Sequence, residues 1–288
     1  MSTFRAMNTD VTVRTPGADE VSVARAVARV FADAERRFSR FRDDSELAQL
    51  NRARGPMIVS AEMFDALVSA RRYVELTDGI FEPAVGATLV AHGYDRSFEP
   101  GALDRENAAE LPRRMRFLDV ELEPSTRQVT RPDDLMIDLG GMIKGRTVDL
   151  AAAALPTTGA IDAGGDVVLR GGGAAGWPVH VEDPRDGTRT IAKLRVRDGA
   201  VATSAANRRR WRVGSSVRHH LVDPRTWSPA QTDLFQVTIL ASTAELADVL
   251  AKTVFVLGSE RGTAFLARFP EVSAVLLQTS GDVVMVQP

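Results

Sequence analysis

The sequence contains no cysteine, which excludes disulfide bonds, thiol nucleophiles and cysteine-ligated metal sites. It has no uncharged apolar run of membrane-spanning length, and no apolar segment of the signal-peptide type follows Met1. A formal net charge of -2 argues against a general nucleic-acid binder. We therefore expect a cytoplasmic protein that acts on neither nucleic acid nor membrane.

Lysine is scarce as well, because only three of the 36 basic residues are lysine: Lys144, Lys193 and Lys252. Each lysine therefore calls for its own explanation. The 288 residues are 44% hydrophobic and 26% charged, which is enough apolar material for a substantial core. No repeat, low-complexity tract or proline-rich linker marks a boundary, so we treat residues 1–288 as a single domain.

The most distinctive stretch runs from Asp138 to Asp149 and reads DLGGMIKGRTVD. An apolar strand pattern over Leu135–Leu139 meets a double glycine, and a helical pattern follows. Glycines let a backbone approach a ligand closely, and the first turn of a helix is a natural seat for phosphate. Both Asp138 and Lys144 could face that seat. The alternative is a strand–turn–helix whose glycines serve packing alone, and the stretch matches neither a P-loop nor GxGxxG.

The rest of the chain alternates predicted strands with amphipathic helices. Helices are expected to open near residues 19 and 60 and at a Ser242/Glu245 capping-box pattern, with a short one near 105–110. A closing hairpin is expected over residues 272–286, and further strands are expected at 9–14, 117–122, 160–169, 179–182, 191–196 and 200–203.

Eight short motifs then occur in the order of one known family, and the chain resembles the ApbE family of FAD:protein FMN transferases over nearly its full length. The motifs are Met7-Asn8-Thr9, the loop from Phe38 to Leu47, Asp78–Pro83, Asp138–Asp149, Ala163–Asp166, Thr203-Ser204, His220–Thr226 and Ala247–Leu250.

The resemblance implies an α+β fold of mostly antiparallel sheets with helices, in which two interlocked subdomains enclose a flavin cleft. It also implies an enzyme that binds FAD, attaches FMN to a threonine of an acceptor protein and releases AMP. Such chemistry needs a cation beside the diphosphate, donors for its oxygens and a base for the attacking hydroxyl.

The site residues follow from the same resemblance. The family holds Mg²⁺ with an aspartate and a backbone carbonyl, which map to Asp248 and Gly141. His220 matches the motif histidine and is the expected proton acceptor. Phe41 is expected to stack on the isoalloxazine ring, with a core role as the alternative. The full set expected to bind the cofactor is Met7, Phe41, Ile80, Phe81, Glu82, Asp138, Lys144, Thr203, Ser204 and Val222.

The chain departs from the family four residues after Asp248, where Lys252 stands in place of a threonine. A charged lysine cannot ligate Mg²⁺, but its ammonium could take the place of the metal as a fixed cation. We therefore count Asp248 and Lys252 with His220 as catalytic candidates. The alternative is an ordinary i,i+4 salt bridge on a solvated helix face. Neighbouring Thr253 would point about 100° away around the helix.

Other departures are Ala205 and Trp227 at family glycines and Glu82 at a family aspartate. They are more compatible with FAD binding than with unchanged transfer. A catalytically weak FAD-binding protein (a flavin carrier or sensor) and an FAD diphosphatase that yields FMN and AMP therefore remain alternatives. The basic run Arg208–Arg212 is read as a solvated edge strand, with phosphate contact as the alternative.

Overall fold

A computed structural model of the chain describes residues 1–99, 104 and 109–287. The short helix predicted near residues 105–110 lies mostly outside the described residues. The helices are α1 (Glu20–Phe38), α2 (Glu46–Arg52), α3 (Ala61–Leu76), α4 (Gly86–Ala91), α5 (Ile143–Ala151), α6 (Ala244–Leu257) and α7 (Ser259–Leu266).

The strands are short and spread along the whole chain. They are β1 (Ser2–Ala6), β2 (Thr9–Arg14), β3 (Met57–Ile58), β4 (Glu121–Glu123), β5 (Gln128–Thr130), β6 (Gly159–Ala163), β7 (Asp166–Arg170), β8 (Trp177–Asp183), β9 (Asp186–Val196), β10 (Gly199–Ala205), β11 (Arg210–Val213), β12 (Ser216–His219), β13 (Val222–Asp223), β14 (Ser228–Pro229), β15 (Leu234–Ala241), β16 (Ser273–Gln278) and β17 (Val283–Val286).

These elements form two compact units, each assembled from separate stretches of the chain. The first unit comprises Met1–Asp33, Lys144–Asn207 and Thr232–Pro288, and the second comprises Ala34–Ile143 and Arg208–Gln231. The α+β class with antiparallel sheets is as predicted. That residues 1–288 act as one domain stays a prediction.

The first unit is built on an eight-stranded sheet in the order β1-β2-β6-β7-β10-β15-β16-β17. Every neighbouring pair in this sheet is antiparallel. Side chains of successive strand residues point to opposite faces, so the sheet has two buried sides. On one side α1 and α5 cover Val11, Ile161 and Val168. On the other, the β8–β9 hairpin packs over Leu169 and Val201.

The second unit contains smaller sheets and the helices α2, α3 and α4. Its strands form a three-stranded sheet in the order β3-β5-β4 and two ribbons, β11–β12 and β13–β14. The buried side of β11 contributes Trp211 and Val213 to a cluster with Leu89 and Tyr94. This cluster fixes the ribbon β11–β12 to the helical part of the unit.

The apolar alternation over residues 135–139 does not form a strand, which corrects the sequence-based prediction. Its backbone groups bond outside any sheet: the Asn51 side chain contacts both the N–H and the carbonyl of Ile137 at 2.8 Å. The Asp138 N–H donates to the Pro83 carbonyl, and the Met136 carbonyl accepts from the Gly86 N–H. The segment alternates buried and half-buried residues as a strand would, but it has no strand partner among the described residues.

Two smaller expectations also change. The N-cap of α6 is Thr243, whose hydroxyl accepts from the Leu246 N–H, rather than Ser242. The strand predicted over residues 117–122 is a 3₁₀ turn at Phe117–Asp119 followed by β4. Among the described residues, no helix has the length and apolar character needed to cross a bilayer.

Candidate active site

The central motif holds α5 against the start of α6 within the first unit. A Cβ added to Gly145 would lie 2.4 Å from the carbonyl oxygen of Ala244, so only glycine allows this approach. One turn later, Asp149 accepts the backbone N–H groups of Ala244 and Glu245 at 2.8 Å each. A carboxylate at the positive end of a helix is stabilising. The motif therefore positions α6, the helix that carries Asp248 and Lys252.

Two half-buried lysines and two buried aspartates form a charge cluster in the first unit, which we call the lysine–aspartate cluster: Lys144, Asp166, Asp248 and Lys252. The Lys144 ammonium lies 2.7 Å from Asp166 Oδ2 and donates to the Ala163 carbonyl at 2.8 Å. The Lys252 ammonium donates to Asp248 Oδ1. Asp166 and Asp248 are only 1% and 2% exposed. The Asp248–Lys252 pair is thus not on a solvated helix face.

The charges of the lysine–aspartate cluster act on one another. Burial, and next the negative charge of Asp248, raise the pKa of Asp166 to about 6, while the ammonium groups of Lys144 and Lys252 lower it. Asp166 Oδ1 and Asp248 Oδ2 are buried and have no hydrogen-bond partner among the described residues. Two buried acceptors are therefore left close to two ammonium groups.

The donor set around Asp248 does not fit Mg²⁺. This ion requires near-octahedral oxygen ligands, whereas the first carboxylate oxygen of Asp248 already receives an ammonium. The Thr253 hydroxyl donates to the Val249 carbonyl at 2.9 Å and points away, as predicted. No group of three or more histidine or acidic side chains that could hold a metal occurs within the described ranges. Gly141, the other predicted ligand, belongs to the second unit.

Two predicted binding motifs of the first unit meet at the ends of β2 and β6. Met7 and Asn8 have positive φ angles of 48° and 58° and form the tight turn between β1 and β2. The next residue, Thr9, packs closely on Gly164. A Cβ added to Gly164 would lie 2.0 Å from the hydroxyl oxygen of Thr9. The Met7 turn and the glycine turn before Asp166 are therefore neighbours.

The remaining predicted residues of the first unit lie on β10. The Thr203 hydroxyl bonds to the Thr238 hydroxyl at 2.9 Å, and Ser204 is buried. Ala205, at the family glycine position, is an ordinary strand residue paired with Gln236. The alanine is therefore accommodated without backbone strain.

In the second unit, the Arg40 guanidinium is held between two aromatic rings and a carboxylate. Its carbon lies 4.0 Å from the centre of the Phe41 ring and 4.6 Å from that of Tyr94, and its Nε lies 2.5 Å from Asp138 Oδ2. Asp138 Oδ1 accepts the Gly140 N–H at 2.6 Å. Both oxygens of Asp138 are therefore engaged within the unit, and its predicted contact with the nucleotide stays a prediction.

Phe41 is 37% exposed, and one of its faces is covered by the Arg40 guanidinium. The stacking of Phe41 on an isoalloxazine ring stays a prediction, and it would use the other face. Sequence reasoning missed Arg40 itself. The available signal was its position between Phe38 and Phe41 in a motif already associated with the cofactor.

The predicted segment 80–82 is fixed by backbone contacts in the second unit. Glu82 Oε1 accepts the N–H groups of Ala84 and Phe117 at 3.0 and 2.9 Å. Burial raises the pKa of Glu82, and the two backbone N–H groups and Arg116 lower it. Phe81 packs edge-on against Tyr73, and Ile80 is half-buried. In this structure Glu82 therefore has a positioning function.

His220 follows the end of β12 in the second unit and is half-buried. The preceding residue, His219, makes two hydrogen bonds that hold the chain around His220. The His219 Nε2–H donates to the Ala230 carbonyl at 3.1 Å, and the His219 Nδ1 accepts the Leu221 N–H at 3.3 Å. Burial lowers the pKa of His219, which favours this neutral form. Val222, the next predicted residue, is half-buried on β13.

Trp227 occupies a family glycine position with φ of 59°, in the left-handed region that favours glycine. Its ring is buried, with the Arg116 guanidinium 5.5 Å from the ring centre. Its carbonyl accepts Nε2–H of His92 at 2.9 Å. The backbone conformation expected of glycine is thus retained, and the added ring is packed into the second unit.

These features define an α+β protein with two charged clusters. One is the lysine–aspartate cluster, and the other is formed by Arg40, Phe41, Tyr94 and Asp138. Each cluster contains residues of the sequence motifs described above. A family model described as the ApbE family matches residues 7–276. The chain therefore belongs to the ApbE family.

Curated relatives and solved structures agree with this assignment. The FAD:protein FMN transferase of Treponema pallidum is 32% identical over 91% of this chain and 78% of its own length. That of Vibrio cholerae is 27% identical over 94% and 84%. The crystal structure of the ApbE protein of Thermotoga maritima has a TM-score of 0.86 and 26% identity over 98% of this chain and 95% of its own. The flavin transferase ApbE of Vibrio cholerae, at 22% identity and a TM-score of 0.80, shares the fold.

Proposed function

We propose that the protein transfers FMN from FAD to a threonine of an acceptor protein and releases AMP. The observation that carries this proposal is the family match over residues 7–276, together with relatives that are named FAD:protein FMN transferases. Those relatives imply FAD and a protein acceptor as the partners. Threonine as the acceptor residue is the finer part of the proposal.

In the proposed reaction the threonine hydroxyl oxygen attacks the phosphorus on the FMN side of the FAD diphosphate. A new P–O bond forms to the threonine, and the P–O bond to the bridging oxygen breaks. AMP leaves with that oxygen and the electron pair of the broken bond. The hydroxyl proton passes to His220, which neighbours the predicted contact residue Val222. Anchoring of both flanking segments by His219 supports a fixed position for this base.

We further propose that the Lys252 ammonium supplies the positive charge that a metal would otherwise bring to Asp248. The support is chemical: Asp248 is buried, its first oxygen accepts from Lys252, and the donor set does not fit Mg²⁺. Positive charge near the diphosphate would stabilise the negative charge of the transition state. Fixing the lysine by a buried carboxylate reduces the reorganisation needed during the reaction.

The test is incubation with FAD and a threonine-bearing acceptor protein, followed by mass measurement of the acceptor and quantitation of AMP. Transfer predicts equal amounts of AMP and of acceptor heavier by one FMN minus water. His220→Ala should reduce both at least about a hundredfold while FAD binding persists. The matched control is His180→Ala, because His180 is exposed on β8.

Three other outcomes would contradict the proposal. AMP release without a change in acceptor mass would indicate an FAD diphosphatase. FAD binding without AMP release would indicate a flavin carrier or sensor. Transfer by His220→Ala at the parental rate would exclude His220 as the base.

A further inference from the structure

The ribbon β11–β12 in the second unit presents a basic outer face. Trp211 and Val213 point into the apolar cluster with Tyr94, whereas Arg208, Arg210 and Arg212 are exposed at alternating positions. Alternate strand residues face opposite sides, so Arg210 and Arg212 of β11 share one face, and Arg208 precedes the strand. The ribbon thus separates a buried aromatic side from an outward side of guanidinium groups.

Residues of β12 complete the outer face. Arg212 is paired with Val217, which is 48% exposed, and Arg210 is paired with His219. Cross-strand partners lie on the same side of a ribbon. Arg218, by contrast, is paired with buried Trp211, and its guanidinium lies 2.5 Å from Nδ1 of His92 on the inner side. We call the surface of Arg210, Arg212 and Val217 the arginine face.

The arginines of this face have no acidic partner in the part of the chain that the structure describes, where no carboxylate forms a salt bridge with Arg208, Arg210 or Arg212. Asp104 Oδ1 accepts the backbone N–H of Arg212 at 2.7 Å rather than its guanidinium. The whole chain carries a net charge of -2, so this concentration of positive charge is local. Exposed guanidinium groups that form no salt bridge with any described carboxylate are suited to bind carboxylates of another molecule.

One end of the arginine face is next in the chain to the predicted base. Arg210 pairs with His219, and His220 is the next residue after β12. A strand rises about 3.3 Å per residue, so Arg212 lies roughly 7 Å further along the ribbon than Arg210, away from the end next to His220. A polypeptide that presents its threonine at His220 has to continue past His220, and the ribbon is a neighbouring exposed element.

We propose that the arginine face is the docking surface for an acidic segment of the acceptor polypeptide, within about four residues of the modified threonine. This inference rests on the proposed transferase function, because that function requires a protein acceptor near His220. Aspartate or glutamate side chains of the acceptor bind Arg210 and Arg212, and its apolar side chains pack on Val217. The face thereby selects acceptors by charge.

The experiment compares two fluorescein-labelled peptides with one threonine each, one with aspartates and one with lysines on the same side of it. Binding to the full-length protein is measured by fluorescence anisotropy at low and high salt. We expect the acidic peptide to bind at least about tenfold more tightly at low salt, and high salt to remove most of this difference. The variant Arg210→Glu/Arg212→Glu should reverse the preference.

The matched control is Arg25→Glu/Arg29→Glu, which makes the same change of charge at exposed positions of α1 in the first unit. It should leave the peptide preference unchanged. Equal binding of the two peptides, or an equal effect of both double variants, would overturn the inference. Tighter binding of anionic lipid vesicles or of a single-stranded oligonucleotide to the arginine face would overturn it too.

Mass measurement of the same peptides after incubation with FAD separates this inference from the transferase function. If the acidic peptide binds the arginine face but receives no FMN, docking holds and the transferase function fails. If both peptides bind equally and receive FMN equally, the transferase function holds and the docking inference fails.

Discussion

Lys252 places a positive charge at the buried carboxylate of Asp248. The pair lies on α6, whose start is held by Asp149 of the central motif. Removing one partner of a buried ion pair leaves an uncompensated charge, which is strongly unfavourable. The lysine is therefore expected to stay bound to Asp248 whether or not a nucleotide is present.

The variant Lys252→Thr is expected to make transfer depend on Mg²⁺. Threonine removes the ammonium and places a hydroxyl one turn from Asp248, which frees oxygen ligands for a divalent cation. Transfer by the parent should be similar in EDTA and in millimolar Mg²⁺, whereas the variant should gain about tenfold or more on addition of Mg²⁺. FAD binding, measured by calorimetry under both conditions, should follow the same pattern.

Lys193→Thr is the control for this prediction, since Lys193 is an exposed lysine on β9. It should behave as the parent in both buffers. If the parent itself needs Mg²⁺ and Lys252→Thr responds no differently, the ammonium has no role in place of a metal.

Single residues of the site were predictable to different degrees. Lys252 and Asp248 stood out because lysine is rare and because the two positions are one helical turn apart. Asp166 was visible only as part of a motif, since its partner Lys144 is 22 positions away and the contact depends on the fold of β6 and β7. Arg40 binds Asp138 across 98 positions, a separation that no local pattern reveals.

At the scale of elements, the contact of α5 with α6 depends on the absence of a side chain at Gly145. An alanine Cβ at position 145 would approach the backbone of Ala244 and Glu245 to 2.4–2.8 Å. Backbone atoms at a helix start cannot move away without breaking the bonds to Asp149. The close approach therefore constrains this position to glycine.

Gly145→Ala is expected to lower the free energy of unfolding by roughly 1–2 kcal/mol, because overpacking near the upper end of about 1–3 kcal/mol outweighs the gain of about 1 kcal/mol from better helix propensity. Urea unfolding followed by circular dichroism measures the change. Gly187→Ala is the control, since a Cβ there would meet nothing within 4 Å. An unchanged or raised stability of Gly145→Ala would show that α5 and α6 can separate at little cost.

Elements with a regular pattern and a local partner were predicted well, as the β16–β17 hairpin shows. The single strand predicted over residues 160–169 is instead two antiparallel strands, β6 and β7, because the two glycines at 164 and 165 form a turn. The segment 135–139 was predicted wrongly. Its alternating pattern indicates which side chains are buried, but it does not indicate the hydrogen-bond partners of the backbone. Its partners are the Asn51 side chain and backbone groups near residues 83–86, which lie about 50 to 90 positions away. Those long-range bonds decided the conformation.

At the scale of the whole molecule, we expect tighter binding of FAD than of FMN. FAD carries the second phosphate and the adenosine that FMN lacks, and the proposed reaction requires the intact diphosphate at the positively charged groups of the site. We predict a dissociation constant for FAD at least about tenfold lower than that for FMN. Calorimetric titration of both ligands measures it, with riboflavin as a phosphate-free comparison. Equal affinities, or no affinity for FAD, would contradict this prediction.

The division into two units has a consequence for any attempt to dissect the protein. Three separate stretches make up the first unit and two make up the second, so the chain passes between units four times. No cut at one peptide bond yields either unit whole, and a ribosome completes the first sheet only after all of the second unit has emerged. Each unit on its own would have to be produced as a spliced gene, with new linkers closing the gaps left by the other.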